Sequence, residues 1–184
     1  MILALALLDD VPIMTIAFDN APVAPRPVRW EMPRLLTISS ILGFVAVGQS
    51  FGLMYLGETV WHVDRPHLQT MMFLQLVVGG HLMLFLTRTP GPFWKPPYPA
   101  AKLFWAIVGT QVFAVFMSGL GWGVPALPWD LIGWVWAYCL AWMVVQDVIK
   151  LCVYKELNAR AAGETPFLAR LKTSLHPRGS LHRK

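Results

Sequence analysis

Two adjacent carboxylates, Asp9 and Asp10, lie within an apolar run near the start of the chain, and Pro12 follows them closely. A charged side chain at membrane depth is costly, so an ionisable residue there is by default a functional-site hypothesis. Pro12 has no N–H to donate to the Leu8 carbonyl, so we expect the helix to break or kink beside the acids. Broken helices at membrane depth commonly coordinate ions. The pattern therefore predicts an ion-binding site.

A plainer interpretation is that the Asp9–Asp10 pair marks a helix start that dips into the aqueous interface, where both carboxylates would be solvated. The residues on both sides of the pair are apolar, however, and this flanking pattern favours a position at membrane depth. We therefore keep the interfacial position as the alternative.

Composition supports a membrane setting. Of the 184 residues, 56% are hydrophobic and only 14% are charged, whereas a soluble globular protein carries about 25% charged residues. The two cysteines, Cys139 and Cys152, fall on one late apolar segment, and their spacing fits neither a disulfide framework nor a zinc site. We interpret them as packing residues. The sequence thus predicts an integral membrane protein without a metal site.

Five apolar segments predict the fold. About 20 residues of helix span the hydrocarbon of a bilayer, and the segments lack the strict alternation of barrel strands. We predict an all-α, polytopic helical membrane protein with five transmembrane helices and no soluble domain over residues 1–156, followed by a basic cytoplasmic tail over 157–184. The predicted helices cover about residues 1–18, 35–57, 67–87, 101–122 and 129–154.

The loops between these segments predict the orientation. The loops at 19–34 and 88–102 and the tail from Lys150 carry three, three and eight Lys and Arg residues, whereas the alternate loops carry only Arg65. Basic residues are enriched on the cytoplasmic side of membrane proteins. The C-terminus is therefore predicted to be cytoplasmic, and the first helix is predicted to run from outside to inside.

Three strings resemble a known family. LLDDVPIMTIAFDNA resembles the sixth transmembrane helix and following turn of proton-efflux P-type ATPases, the plasma-membrane proton pumps. FLQLVVGGHLMLFLTRTPGPFW and VWAYCLAWMVVQDVIKLCVYKEL are similar to that family's eighth helix with its exit loop and to its tenth helix, closest to the archaeal and bacterial branch. Order, loop lengths and orientation agree over about residues 1–156. The resemblance implies that the five predicted helices correspond to helices six to ten of a pump.

The resemblance also implies roles for the first segment. Asp10 matches the family's sixth-helix aspartate, the central proton acceptor and donor, and Pro12 lies at the helix break beside it. Asp9 stands where many members have Asn, about 100° around the helix from Asp10. Two neighbouring carboxyls do not both ionise easily, so we expect Asp9 to share or shift the titration. The implied transported ion is the proton.

The catalytic parts of such a pump are not found in this sequence, which has no GxxxxGK[ST] loop and no DKTGT string, the carrier of the phosphorylated aspartate in P-type pumps. The resemblance implies that ATP and Mg are bound by cytoplasmic domains upstream, so we predict no cofactor and no catalytic residue in this chain. We interpret the chain as a fragment, a split-gene product or a truncated reading frame. The expected partners are the lipid bilayer of the plasma membrane, the N-terminal ATPase portion and the proton, with no nucleic acid.

Other polar residues in the apolar segments have alternative interpretations. His81, which follows two glycines, is either a proton relay or a packed, hydrogen-bonded residue at a close helix contact. Gln75 and Gln111 either line an ion path or form hydrogen bonds between helices. Asp147 and Lys150, three residues apart near the predicted cytoplasmic end of the last helix, predict an interfacial ion pair.

Three hypotheses for the function remain. The leading one is the membrane part of an ATP-driven proton export pump, with Asp10 as the carrier group. The second is a stand-alone membrane protein with a structural or assembly role that does not transport. The third keeps the pump but changes the ion to another cation such as calcium. Calcium pumps gather more oxygen ligands within the membrane than Asp9 and Asp10 offer, which favours the proton.

Overall fold

The structure is a computed structural model that describes residues 1–20 and 32–161. Within these ranges there are five α-helices and no strand, so the predicted all-α fold is confirmed. A single turn of 3₁₀ helix, Ile16–Phe18, extends the first helix. The basic residues of the first loop at 21–31, and the predicted tail from residue 162 onward, lie outside the described residues. The helices are α1 Ile2–Thr15, α2 Met32–Thr59, α3 Arg65–Thr87, α4 Ala101–Leu120 and α5 Trp129–Ala161.

Local sequence sets where the helices begin and end. Asp64 is the N-cap of α3, and Pro66 lies in the first turn, where its missing N–H would have no partner within the helix in any case. At the same end of the bundle, α4 stops at Gly121, whose φ of 76° lies in the left-handed region that glycine adopts without strain. The Gly121 N–H donates to the Met117 carbonyl. The chain can therefore turn sharply from α4 into α5.

The central helix is α3, which packs against each of the other four helices. α1 packs on α3 and α4, and α2 packs on α3 and α5. In a bilayer, close van der Waals packing and interhelical hydrogen bonds hold helices together. Any site on α1 is therefore built against α3 and α4. The fully buried side chains of the core around α3 include Leu53, Met71, Leu74, Val78 and Val135.

Four helices, α2 to α5, are long and apolar enough to cross a membrane by length and composition. The prediction of a fifth spanning helix over residues 1–18 is not matched, because α1 has 14 residues and rises about 21 Å at 1.5 Å per residue. That is short of the roughly 30 Å of hydrocarbon in a bilayer. α2 and α5 are longer than predicted, and α4 ends two residues earlier, at Leu120. The chain is a multi-pass membrane protein with four candidate spans among residues 1–20 and 32–161.

A buried ion pair joins the end of α1 to the loop between α3 and α4. Arg88 donates from Nε and Nη2 to the two carboxylate oxygens of Asp19 at 2.6 and 3.0 Å, and the Ala100 amide donates to the same carboxylate at 3.0 Å. The side chains of Arg88 and Asp19 are 8% and 5% exposed. Bidentate, charge-assisted hydrogen bonds fix orientation as well as distance. This junction therefore holds the C-terminal end of α1 beside the start of α4.

The Asp19 junction predicts how stability responds to acid. Burial alone would raise the pKa of the Asp19 carboxyl, but the hydrogen bonds from Arg88 and the Ala100 amide outweigh it, so the pKa lies below its ordinary value. The stabilisation is therefore fully present above about pH 4 and is lost as the pH falls through the lower folded-state value. We expect Asp19→Asn to weaken the acid dependence of unfolding of the detergent-solubilised chain, measured by circular dichroism. Asp130→Asn, an exposed site, should leave that dependence unchanged.

A second buried ion pair lies on α5, beside the end of α3. Lys150 Nζ is 2.8 Å from Asp147 Oδ1, and each side chain is 1% exposed. Lys150 also donates to the carbonyls of Leu86, Thr89 and Gly91 at 2.9, 3.4 and 2.7 Å. The sequence predicts this pair at an interface, but the structure buries it. The physical reason is that Lys150 lies beside the C-terminal end of α3, where unpaired carbonyls carry partial negative charge.

Candidate functional site

The first helix continues through Pro12 to Thr15 with one backbone hydrogen bond missing. Because Pro12 has no N–H, the Leu8 carbonyl lacks the donor that a residue four positions later would supply. Thr15 Oγ1 donates to the Pro12 carbonyl at 2.8 Å, and the helix then tightens into the 3₁₀ turn. The backbone of α1 is therefore under-bonded next to the two carboxylates.

Asp9 faces α3. Its side chain is 37% exposed, but its Oδ1 atom is buried and has no hydrogen-bond partner among the described residues. That oxygen lies 3.5 Å from His81 Nε2. It also lies beside Gly80, where an added Cβ atom would be in ordinary van der Waals contact with it, at 3.8 Å. A buried carboxylate oxygen without a donor is unfavourable unless a proton, a cation or water satisfies it.

Asp10 lies about 100° further around α1 and is exposed in the described structure. It shares its face with Leu3, Leu7 and Met14, which are 81%, 67% and 75% exposed. Residues spaced by three and four positions lie on one side of a helix, so these four side chains form a stripe. We call Leu3, Leu7, Asp10 and Met14 the uncovered stripe of α1.

His81 lies in the contact between α1 and α3. It is 2% exposed, and its Nε2 is 3.3 Å from the Leu8 carbonyl. Because a carbonyl oxygen can only accept, Nε2–H is the donor in this hydrogen bond. Its Nδ1 is buried without a partner among the described residues. The structure thus brings together Asp9 and His81, which the sequence leaves unconnected.

Comparison with known proteins gives these residues a context. No protein-family model matches the chain. A protein of Methanocaldococcus jannaschii named as a cation-transporting ATPase is 38% identical over 158 residues, which cover 86% of this chain and 20% of that relative. A Leishmania donovani protein named as a proton ATPase is 31% identical, covering 86% of this chain and 19% of the relative. Plasma membrane ATPase 2 of Saccharomyces cerevisiae is 37% identical over 125 residues, which cover 66% of this chain and 13% of the relative.

The chain is homologous to P-type cation-transporting ATPases over most of its length. It spans about a fifth of the length of the first two of these curated relatives. The resemblance expected from the LLDDVPIMTIAFDNA string is therefore confirmed at the level of the family. The site on α1 lies in the membrane part of a P-type ATPase homologue.

Two further candidate residues of this ATPase homologue, Gln75 and Gln111, form no described hydrogen bond with the carboxylates. Each is buried, and each has an Oε1 atom without a hydrogen-bond partner among the described residues. Gln111 lines an apolar groove between α3, α4 and α5, and Gln75 lies near Gln49, on the side of α3 that faces α2 and α5. No described hydrogen bond joins either amide to Asp9 or His81, so the structure does not bring them into one site.

Sequence reasoning misses Gln49. Its side chain is 3% exposed, and its Oε1 accepts a hydrogen bond from Gln146 Nε2 at 2.9 Å. Tyr138 also donates to the Gln49 carbonyl at 2.7 Å. The available signal was a single amide within the apolar run of α2, because polar side chains in membrane helices commonly hydrogen-bond to a neighbouring helix. These contacts join α2 to α5 in the ATPase homologue.

The chemistry open to the site is proton uptake and release. Asp9, Asp10 and His81 are titratable side chains beside a helix that lacks one backbone hydrogen bond. Within the described ranges, no group of three or more His, Cys, Asp or Glu residues could hold a metal ion, and calcium takes roughly six to eight oxygen ligands. The arrangement can therefore bind a proton on a carboxyl with fewer groups than a metal ion would require.

Proposed function

We propose that this chain is the C-terminal membrane part of an ATP-driven pump that exports protons, and that Asp10 carries the proton. The observation that carries the proposal is the position of Asp10, a carboxylate in the middle of the uncovered apolar stripe of α1. The relatives are about five times longer than the part that matches this chain. We infer that an ATPase portion, in the same polypeptide or in a separate chain, binds ATP and Mg and provides the phosphorylated aspartate.

The uncovered stripe of α1 supports a protein partner on this face. Leu3, Leu7 and Met14 would be stable against lipid, but a charged Asp10 at the bilayer centre costs about 2.5 kcal/mol or more. Membrane carboxylates therefore face a bundle interior or a water-filled cavity. We infer that membrane helices of the ATPase portion cover the stripe. α1 would then be part of the sixth membrane helix of the pump, and α2 to α5 would be helices seven to ten.

Asp10 can alternate between two protonation states in such an enclosure. A carboxyl removed from water favours its neutral form and takes up a proton, whereas an approaching cation or entering water favours the ionised form and releases it. The missing hydrogen bond at Pro12 gives α1 a point at which it can bend. The Asp19 junction fixes the C-terminal end of α1 to the start of α4. Bending at Pro12 would therefore move Asp10 relative to that fixed end.

The number of available ligands favours the proton over calcium. The names of the relatives include both a cation-transporting and a proton ATPase, so they support either ion. A calcium site needs several converging oxygen atoms, whereas Asp9 and Asp10 lie about 100° apart on the helix. Asp9 faces α3 and Asp10 faces away from the described helices. A single carboxyl suffices for a proton.

The basic residues of the chain support a cytoplasmic C-terminus for the proposed plasma-membrane pump. Fourteen Lys and Arg residues (three, three and eight) lie in the two loops and the tail on one side, against Arg65 on the other. Basic residues close to the ends of spans set orientation by the positive-inside rule. In this orientation the ATPase portion and the tail of this chain would share the cytoplasmic side.

Transport assays on inverted membrane vesicles that contain the chain with its ATPase portion test the proposal. Addition of ATP and Mg is expected to acidify the vesicle interior, followed with a pH-sensitive dye, while calcium uptake in a parallel assay stays at background. Purification through an antibody against residues 157–184 is expected to recover ATPase activity. Calcium uptake without acidification would show that the transported ion is calcium and not the proton. Absence of both transport and ATPase activity would instead favour a structural or assembly role.

A further inference from the structure

The Leu8 carbonyl lies between a proline that cannot donate to it and a histidine that can. Leu8 and His81 are 73 positions apart in the chain, yet His81 Nε2 lies 3.3 Å from this oxygen. A buried carbonyl without a donor is strongly unfavourable. We propose that His81 Nε2–H takes the place of the N–H that Pro12 lacks, and that His81 is thereby the positioning residue for Asp9.

The same ring nitrogen holds Asp9 in place. Leu8 and Asp9 are consecutive, so a donor fixed at the Leu8 carbonyl is also close to the Asp9 side chain. Nε2 lies 3.5 Å from Asp9 Oδ1, and that buried oxygen has no hydrogen-bond partner among the described residues. A small rotation of the carboxyl brings it within hydrogen-bond distance. His81 Nε2–H thus lies between two acceptors on α1.

The position of the hydrogen on the ring follows from the surroundings. A neutral imidazole carries its hydrogen on one of its two nitrogens. A hydrogen on Nε2 has the Leu8 carbonyl as its acceptor, whereas Nδ1 is buried with no partner among the described residues. A hydrogen on Nδ1 would leave an unpaired donor and an unpaired carbonyl. The geometry therefore selects the Nε2–H tautomer of His81.

The role of this contact is to keep the two neighbouring carboxyls apart. His81 holds Asp9 toward α3, and Asp10 is left on the uncovered stripe. The inference deepens the proposed function and rests on it for the relevance of Asp9 to transport. The hydrogen bond itself is a property of the chain and is tested without ATP. Failure of the hydrogen bond and failure of the pump assignment are therefore separate results.

Nitrogen-15 NMR of the full chain in lipid nanodiscs tests the tautomer. The chain has five histidines, and the His81 signal is assigned by its loss in His81→Gln. We expect the hydrogen on Nε2 and a ring N–H that exchanges slowly with solvent. His62, which is exposed, is the internal reference for fast exchange. A His81 ring with its hydrogen on Nδ1, or one that exchanges as fast as His62, would overturn the proposal.

A double-mutant cycle tests the replacement of one donor by another. His81→Leu is expected to lower the midpoint of denaturant-induced unfolding in the Pro12 background. Pro12→Ala restores a backbone N–H that can donate to the Leu8 carbonyl. In that background the same His81 substitution should lower the unfolding midpoint by less than half as much. Equal losses in the two backgrounds would show that His81 and Pro12 do not act on the same oxygen.

The positioning of Asp9 has its own signal. The carbon-13 resonance of the Asp9 carboxyl, assigned by its loss in Asp9→Asn, is expected to shift in His81→Leu and to return toward its original position in His81→Gln, whose amide can still donate. If His81→Leu alone does not fold, the spectrum is recorded with Pro12→Ala present. An Asp9 carboxyl resonance whose chemical shift is unchanged in both His81 variants would rule out the positioning role.

Discussion

Asp10→Asn is expected to reduce ATP-driven proton transport to background. Asparagine keeps the size and polarity of the side chain but cannot take up and release a proton. A positioned proton donor or acceptor contributes roughly 100- to 10,000-fold in rate, so its removal should leave transport undetectable. The measurement is the initial rate of acidification in inverted vesicles that contain the chain with its ATPase portion, normalised to the amount of chain on an immunoblot.

The matched control for this prediction is Asp130→Asn. Asp130 lies in the first turn of α5 and is exposed, so the substitution makes the same change in size and charge away from α1. We expect transport at the rate of the unsubstituted protein. Transport retained by Asp10→Asn would overturn the assignment of Asp10 as carrier. Equal loss in the two variants would show a general response to lost negative charge, with no special place for Asp10.

The spanning helices could be predicted from the sequence because span length is a local property. The apolar runs that form α2 and α5 are long enough by themselves. The structure extends α2 by three residues at its start and two at its end, and it extends α5 by seven residues at its C-terminal end only. The sequence overestimates the length of α1, because the apolar run continues to Phe18 while the α-helix ends at Thr15 and gives way to a 3₁₀ turn. Hydrophobicity does not distinguish these two helix types.

The site could be predicted in part. Asp9, Asp10 and Pro12 are neighbours in the chain, and their chemistry is visible in the sequence alone. Which carboxylate faces the bundle depends on how α1 is rotated against α3, and that rotation is decided by packing between distant residues. The contact of His81 with the Leu8 carbonyl depends on the same rotation. The sequence therefore identifies residues of this site but not which of them contact one another.

Lys150→Met is expected to destabilise the chain by about 3–5 kcal/mol, the range for removing one partner of a buried ion pair. Asp147 would be left as an uncompensated charge with a side chain that is 1% exposed. The carbonyls that Lys150 contacts at the end of α3 would also lose their donor. The measurement is denaturant-induced unfolding of the detergent-solubilised chain. Lys155→Met, at an exposed position of the same helix, is the matched control and should change stability little.

The double variant Asp147→Leu with Lys150→Met separates the effect of the unpaired Asp147 charge from the effect of the lost contacts between Lys150 and the end of α3. It removes both charges, so the penalty for a buried unpaired carboxylate disappears, and replacing a whole buried pair is often close to neutral. The carbonyl acceptors of Lys150 remain without a donor, however, so we expect a loss of roughly 1–3 kcal/mol, smaller than that of Lys150→Met alone. A double variant as unstable as the single one would show that the loss comes from the contacts of Lys150 with the end of α3 and not from the unpaired Asp147 carboxylate.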